Sequence, residues 1–280
     1  MTGTTYGIVA GYDGSPGAAQ ALRWAAREAW ARGTALSVSL AWTPDHMELP
    51  TESDLCDLTR QHGREILTRG LPYAESVLGP GLVRADLAAG SAARVLCERS
   101  RDADMVVVGS RGRGELPGLR LGSVAWQVAG HASGRVVVVR GAWRPANRAP
   151  GPVVLGVDGS PAGQAAITFA FEEAALRDVP LVTVCALTDT PGRLGGSHQV
   201  EEDFDQIVAV EAKEHPEVSV VRQVLAGTPR AALLSAAADA QMLVVGARGR
   251  GGFDEMSLGS IAQAVLQYAP CTVGVVRQAG

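Results

Sequence analysis

The sequence predicts two tandem α/β domains, each built on a doubly wound sheet. Three observations predict this. One glycine-rich string occurs twice, one strand-ending turn occurs twice, and in both halves short apolar runs alternate with amphipathic stretches. Alternating strands and helices give right-handed βαβ crossovers, and hence a sheet covered by helices on both faces. In a chain of 280 residues the repeat decides for two domains of about 140 residues. Each half is long enough to bury a core without staples.

The first half opens on a strand at residues 7–12. It ends in Gly11, Tyr12, Asp13, Gly14, Ser15 and Pro16. Ser15 is a well-formed helix N-cap, and Pro16 stands at the first helical position, where its missing N–H costs nothing. Ala18, Leu22, Ala25 and Ala29 share one face of the helix that follows. Further strands are expected at 36–41, 83–88, 105–108 and 136–139. Val95, Leu96 and Arg99 belong to a helix that ends before Asp102. The polar segment 44–79 reads only as a loop and a helix.

The second half repeats the order. A strand at 153–157 runs into Gly156, Val157, Asp158, Gly159, Ser160 and Pro161, and later strands are expected at 181–186, 218–225, 242–245 and 273–276. The last two strands of each half are continuously apolar, which indicates burial on both faces. A stretch rich in Pro, Gly and Arg, residues 141–151, separates domains at 1–143 and 151–280. From Asp13 to Gly109 is 96 positions and from Asp158 to Gly246 is 88. The second half is therefore about eight residues shorter, and the shortfall lies after its second strand.

The glycine strings have identical spacing, G-x2-G-x9-G-S. The first is Gly109, Gly112, Gly122 and Ser123, and the second is Gly246, Gly249, Gly259 and Ser260. Each follows a short apolar strand and runs into a helical pattern. Glycines let backbone approach an anion, and a helix N-terminus offers free N–H groups in a favourable dipole. The plain alternative is a tight strand-to-helix connection with Ser123 and Ser260 as N-caps, and capping is compatible with phosphate contact. Neither G-x-G-x-x-G nor G-x-x-x-x-G-K-[ST] is present, which argues against dinucleotide-fingerprint and Walker-type loops.

With these motifs in the same order in both halves, the chain resembles a tandem universal stress protein of the ATP-binding type. The resemblance covers essentially all 280 residues. It implies two Rossmann-like domains, each a five-stranded parallel sheet with helices on both faces. It further implies ATP, with or without Mg2+, held between the strand-one aspartate and the glycine loop. Asp13 and Asp158 would meet ribose or lie near a metal, although Asp-Gly is also an ordinary turn pair. The backbone at Ala41 and Ala186, within one position, would touch adenine. Phosphate would meet Gly109, Gly112, Gly122, Ser123 and Val124 in one half, and Gly246, Gly249, Gly259, Ser260 and Ile261 in the other. Arg113 and Arg250, with Arg111 and Arg248, either meet phosphate charge or are exposed loop arginines.

The expected function is a regulatory nucleotide sensor in a stress response, acting on an unidentified protein partner. The alternative is a slow ATPase or self-phosphorylating protein on the same sites. Against it, no glutamate or histidine recurs next to the glycine loop in both halves: Gly252 occupies the position of Glu115. A nucleotide-free stress protein acting by dimerisation is disfavoured by two intact loops, and flavin chemistry rests on fold analogy alone. A homodimer is expected, with the two halves or two chains packing through their final strands.

Other features exclude function classes. A formal net charge of −4 provides no basic field for nucleic acid or an acidic membrane surface. No apolar run approaches the roughly 20 residues needed to span a bilayer, and the N-terminus lacks a signal-peptide pattern, so a cytoplasmic protein is expected. Cys56, Cys97, Cys185 and Cys271 are scattered and suggest neither a zinc site nor a disulfide framework, with Cys97 and Cys185 read as core thiols. His46, His62, His131, His198 and His215 lack metal-ligand spacing. Trp24, Trp30, Trp42, Trp126 and Trp143 read as core or interface residues.

Overall fold

The computed structural model describes residues 6–43, 52–114, 120–140, 150–156, 163–187, 206, 208–249 and 257–278. The chain divides into two units, Met1–Val139 and Arg140–Gly280.

In unit 1 the elements are β1 (Ile8–Gly11), α1 (Pro16–Arg32), β2 (Leu36–Trp42), α2 (Glu52–Leu78), β3 (Val83–Ala89), α3 (Ala92–Arg99), β4 (Met105–Gly109), α4 (Ser123–His131) and β5 (Arg135–Val139). All four pairings are parallel, in the order β3-β2-β1-β4-β5. The connections therefore run outward from β1 to β3 on one side, then return to β4 on the other. Where the order reverses, between β1 and β4, the carboxyl ends of the strands form the crevice in which open α/β sheets bind ligands.

Unit 2 repeats the pattern with β6 (Val153–Gly156), α5 (Gln164–Arg177), β7 (Leu181–Leu187), β8 (Val220–Ala226), α6 (Pro229–Ala236), β9 (Met242–Gly246), α7 (Ser260–Tyr268) and β10 (Thr272–Val276). Residues 208–214 form a further helical segment. Its parallel order is β8-β7-β6-β9-β10. The Rossmann-like α/β architecture expected from the sequence is thus present in both units.

Local chemistry explains the boundaries. The Ser15 hydroxyl accepts the Ala18 N–H at 3.1 Å to open α1, and Gly33, in the left-handed region at φ 63°, closes it. The buried face of α1 is almost all small: Ala18, Ala21, Leu22, Ala25, Ala26 and Ala29. It packs on β1 and β4, whose Ile8, Val9, Ala10, Val106 and Val107 are fully buried. The core of unit 2 is bulkier, with Ile167, Phe169 and Phe171 of α5 and Leu181, Met242 and Leu243 of its strands almost fully buried. Each unit buries a glutamate on its first helix beside an arginine one turn on, Glu28 with Arg32 at 2.6 Å and Glu173 with Arg177 at 2.7 Å.

Several expectations need adjustment. The strand expected at 218–225 starts at Val220, because Val218 is tied into a turn by its N–H to the His215 carbonyl. The segment 44–79 supplies a 27-residue helix, α2, that buries Ile66, Leu67 and Ala74 and contains Pro72. Gly63 and Gly70 let it approach the sheet, since a Cβ on either would lie within 2.9 Å of Leu87 or 2.7 Å of Tyr12. Trp30 is no core residue, being 68% exposed: it follows Ala29 and falls beside the buried stripe of α1. Trp24, Trp42 and Trp126 are half-buried, as is Cys97, whereas Cys185 is buried. His62 and His131 are exposed, and His215 stacks on Phe171. His46, His198, Trp143 and the linker residues 141–149 lie outside the described residues. Among the described residues, no helix is long and apolar enough to cross a membrane.

Candidate functional site

The turn after β1 and the loop after β4 meet at Asp13. Its Oδ1 accepts the Ser15 N–H at 2.9 Å, the local turn that the Asp-Gly pair favours. Its Oδ2 accepts the Arg113 N–H at 3.0 Å, from the glycine loop 100 residues on. Asp13 is therefore a turn residue and also a clasp between the two motifs. A carboxylate offers about four lone-pair sites, so each oxygen retains room for one more donor. Gly112 lies against it: a Cβ there would come within 2.7 Å of Oδ2, so the carboxylate would have to shift.

The loop is closed at its base. Ser110 donates its N–H to the Val139 carbonyl at 3.0 Å, and Gly122 donates to the Ser110 carbonyl at 2.8 Å, which returns the chain to the end of β4. Gly122, at φ −77° and ψ 157°, is the N-cap of α4, and no side chain caps the helix. The cap is thus the glycine, correcting the sequence expectation for Ser123, which occupies the first helical position with an exposed side chain. The first intrahelical bond runs from the Trp126 N–H to the Gly122 carbonyl at 3.0 Å. The amides of Ser123, Val124 and Ala125 precede it, at the positive end of the helix dipole.

The glycines of this loop answer to different constraints. A Cβ on Gly109 would lie 2.6 Å from the Gly17 carbonyl, and one on Gly17 would collide with the Arg111 carbonyl, so β4 and the start of α1 touch backbone to backbone. Gly122 has no such constraint. Its φ is ordinary, and a Cβ there would meet nothing closer than the Ser110 carbonyl oxygen at 3.5 Å. Neither torsion nor packing demands glycine there, and its missing side chain leaves space between residues 110–112 and the start of α4.

That space belongs to a cavity of about 330 Å3 at the switch point. Asp13, Ala41, Gly109, Gly112, Arg113, Gly122, Ser123 and Val124 all line it. Leu40, Ala92, Leu96 and Val108 give it an apolar end, and Arg111 joins Arg113 at the loop. Behind the apolar end lies a group the sequence reading missed. Asp86 of β3 accepts the Ser39 hydroxyl at 2.9 Å and is gripped by Arg99 through Nε at 2.9 Å and Nη2 at 3.1 Å. The hydrogen bond to Asp86 holds the Arg99 guanidinium above its usual pKa despite partial burial. Ser39 is a cavity residue, and Arg99 shares α3 with Ala92 and Leu96. The signal was a charged residue inside strand three, facing a serine inside strand two.

Residues 7–140 match the model of the universal stress protein family, and residues 151–277 match it again. The chain belongs to the universal stress protein family. It is 35% identical over 290 residues to a universal stress protein of Mycolicibacterium smegmatis, covering 99% of each chain. It is 34% identical to one of Mycobacterium tuberculosis, covering 98% of this chain and 97% of that one. A solved universal stress protein from Archaeoglobus fulgidus superposes with a TM-score of 0.74 over 99% of this chain and 100% of that chain, at 18% identity, a likeness of fold.

The second universal stress domain builds its loop the same way. Ala247 donates to the Val276 carbonyl at 2.8 Å, and Gly259 donates to the Ala247 carbonyl at 2.8 Å. Gly259 caps α7 at φ −69° and ψ 159° with no side-chain cap, so Ser260 is again the exposed first helical residue, followed by Ile261. A Cβ on Gly259 would meet nothing closer than 3.6 Å. Gly246 ends β9, Gly249 follows it in the loop, and Ala186 lies near the end of β7. Asp158 and Arg250 lie outside the described residues. Among the described residues, no three His, Cys, Asp or Glu side chains cluster to hold a metal ion.

Proposed function

We propose that each unit binds one adenine nucleotide, ATP foremost, and that the protein is a regulatory nucleotide sensor rather than an enzyme. In unit 1 the base would lie at the apolar end beside Leu40 and Ala41, the ribose hydroxyls against Asp13, and the phosphates across Gly109, Gly112 and Gly122. There the amides of Ser123 and Val124 and the Arg113 side chain would meet them. Ala186, Asp158, Gly246, Gly249, Arg250, Gly259, Ser260 and Ile261 would serve unit 2. Mg2+ would enter with the phosphates, with the remaining lone pairs of Asp13 nearby. The observation that carries the reading is Gly122, a glycine that neither its torsion nor a neighbouring atom requires, placed where three amides and a dipole favour an anion.

Equilibrium dialysis against labelled ATP tests it. Saturable binding, competed by unlabelled ATP, is the expected result. No binding at millimolar ATP, with or without Mg2+, would overturn it.

A further inference from the structure

Beside the candidate nucleotide cavity lies a second, of about 420 Å3. Asp13, Leu40, Ala41 and Arg113 line both, so the two adjoin along a shared wall. The far wall is α2, which presents Leu58, Thr59, His62 and Ile66, while Trp42 stands at the end of β2. A mononucleotide in the first cavity would leave this space open, and it is within the 300–1,000 Å3 that small-molecule sites occupy.

The lining indicates what fits. Leu58 remains 64% exposed at the rim, and Leu40 and Ile66 are buried beneath. Apolar walls with an indole and an imidazole suit a flat heteroaromatic ring. The shared boundary offers the Arg113 guanidinium, a partner for phosphate, beside the Asp13 carboxylate that serves the first ribose. A second base on a phosphate chain combines the two chemistries that remain.

We propose that unit 1 binds a dinucleoside polyphosphate, with one nucleoside in each cavity and the phosphate bridge beside Arg113. This rests on the nucleotide reading above and extends it. The α2 wall comes from the segment in which the halves differ in length, 96 against 88 positions between the strand-one aspartate and the glycine loop, so the proposal is confined to unit 1.

The test uses the full chain carrying Gly259→Val, so that unit 1 alone is titrated. ATP and diadenosine tetraphosphate are compared by calorimetry, with His62→Trp or Thr59→Trp added to fill the second cavity. His62 is exposed on α2, with a side chain 57% accessible, and two variants on one wall guard against either failing to fold. The dinucleotide should bind at least tenfold more tightly than ATP. Each tryptophan should abolish that advantage while leaving ATP affinity within twofold. Equal affinities in the parent, or an advantage that survives both substitutions, would overturn the proposal. Equal weakening of both ligands by the tryptophans would do the same. Failure of both ligands to bind the parent would instead overturn the nucleotide reading, and this proposal with it.

Discussion

Gly109 and Gly122 belong to one loop but are glycine for opposite reasons, and substitution separates them. An alanine at 109 drives its methyl into the Gly17 carbonyl, 2.6 Å away in backbone that cannot yield cheaply. Overpacking of that kind costs about 1–3 kcal/mol. At 122 the methyl meets only ordinary contacts at 3.5 Å and beyond, in a torsion any residue adopts, so the cost should be only that of alanine for glycine at an N-cap, below about 1 kcal/mol. Urea denaturation of Gly109→Ala and Gly122→Ala should therefore differ clearly in midpoint. Equal destabilisation would mean that Gly122 is structural after all. The arginine clamp behind the cavity gives a second prediction at this scale. Asp86→Ala leaves a partly buried guanidinium and a buried serine without their carboxylate, and bonds to charged groups contribute about 1.5–3 kcal/mol. The same assay should report a loss in that range, and a loss under about 0.5 kcal/mol would show the clamp to be ornamental to folding.

Elements differed in how legibly they were written. The strands β4 and β9 stand out because all but the last residue of Met105–Gly109 and of Met242–Gly246 is buried, so no polar side alternates with the apolar one. The glycine loops were legible because they repeat, and repetition at fixed spacing separates a motif from a chance turn. Of the two roles open to Ser123 and Ser260, side-chain capping falls away, because Gly122 and Gly259 take the N-cap positions and leave the first-turn amides without a side-chain cap. Helix α2 was obscured by Gly63, Gly70 and Pro72, which lower helical propensity, although the two glycines also make room for Leu87 and Tyr12. The Ser39–Asp86 contact depends on the register of β2 against β3, which pairs those two residues directly. No local pattern carries such information. Chemistry at the element scale leads to a kinetic prediction. An uncapped helix terminus and backbone amides bind phosphate, but phosphoryl transfer also needs charge clamps and a residue that orients the nucleophile. Binding the ground state alone does not accelerate cleavage. Phosphate release at saturating ATP and Mg2+ should stay below about 1 s−1, at the bottom of the usual enzyme range. Faster release that vanishes in Asp13→Ala would make the protein an ATPase.

At the scale of the whole molecule, one chain carries two universal stress domains. Within their own units β5 and β10 each have a single strand partner, β4 and β9 respectively, and unprotected sheet edges are usually covered. We expect a homodimer, and light scattering should return twice the 29.0 kDa chain mass. A strict monomer at every concentration would contradict that assembly. Nucleotide occupancy is the more consequential property, because two sites on one chain, as proposed, would fill in steps. The central claim is that the two glycine loops are two independent phosphate cradles. Calorimetric stoichiometry tests it most directly. ATP should bind the unaltered chain at about two per chain, and Gly122→Val or Gly259→Val should each lower that to about one, with the fold intact because both torsions are ones valine adopts readily. A stoichiometry unchanged in both variants would contradict the assignment of these loops.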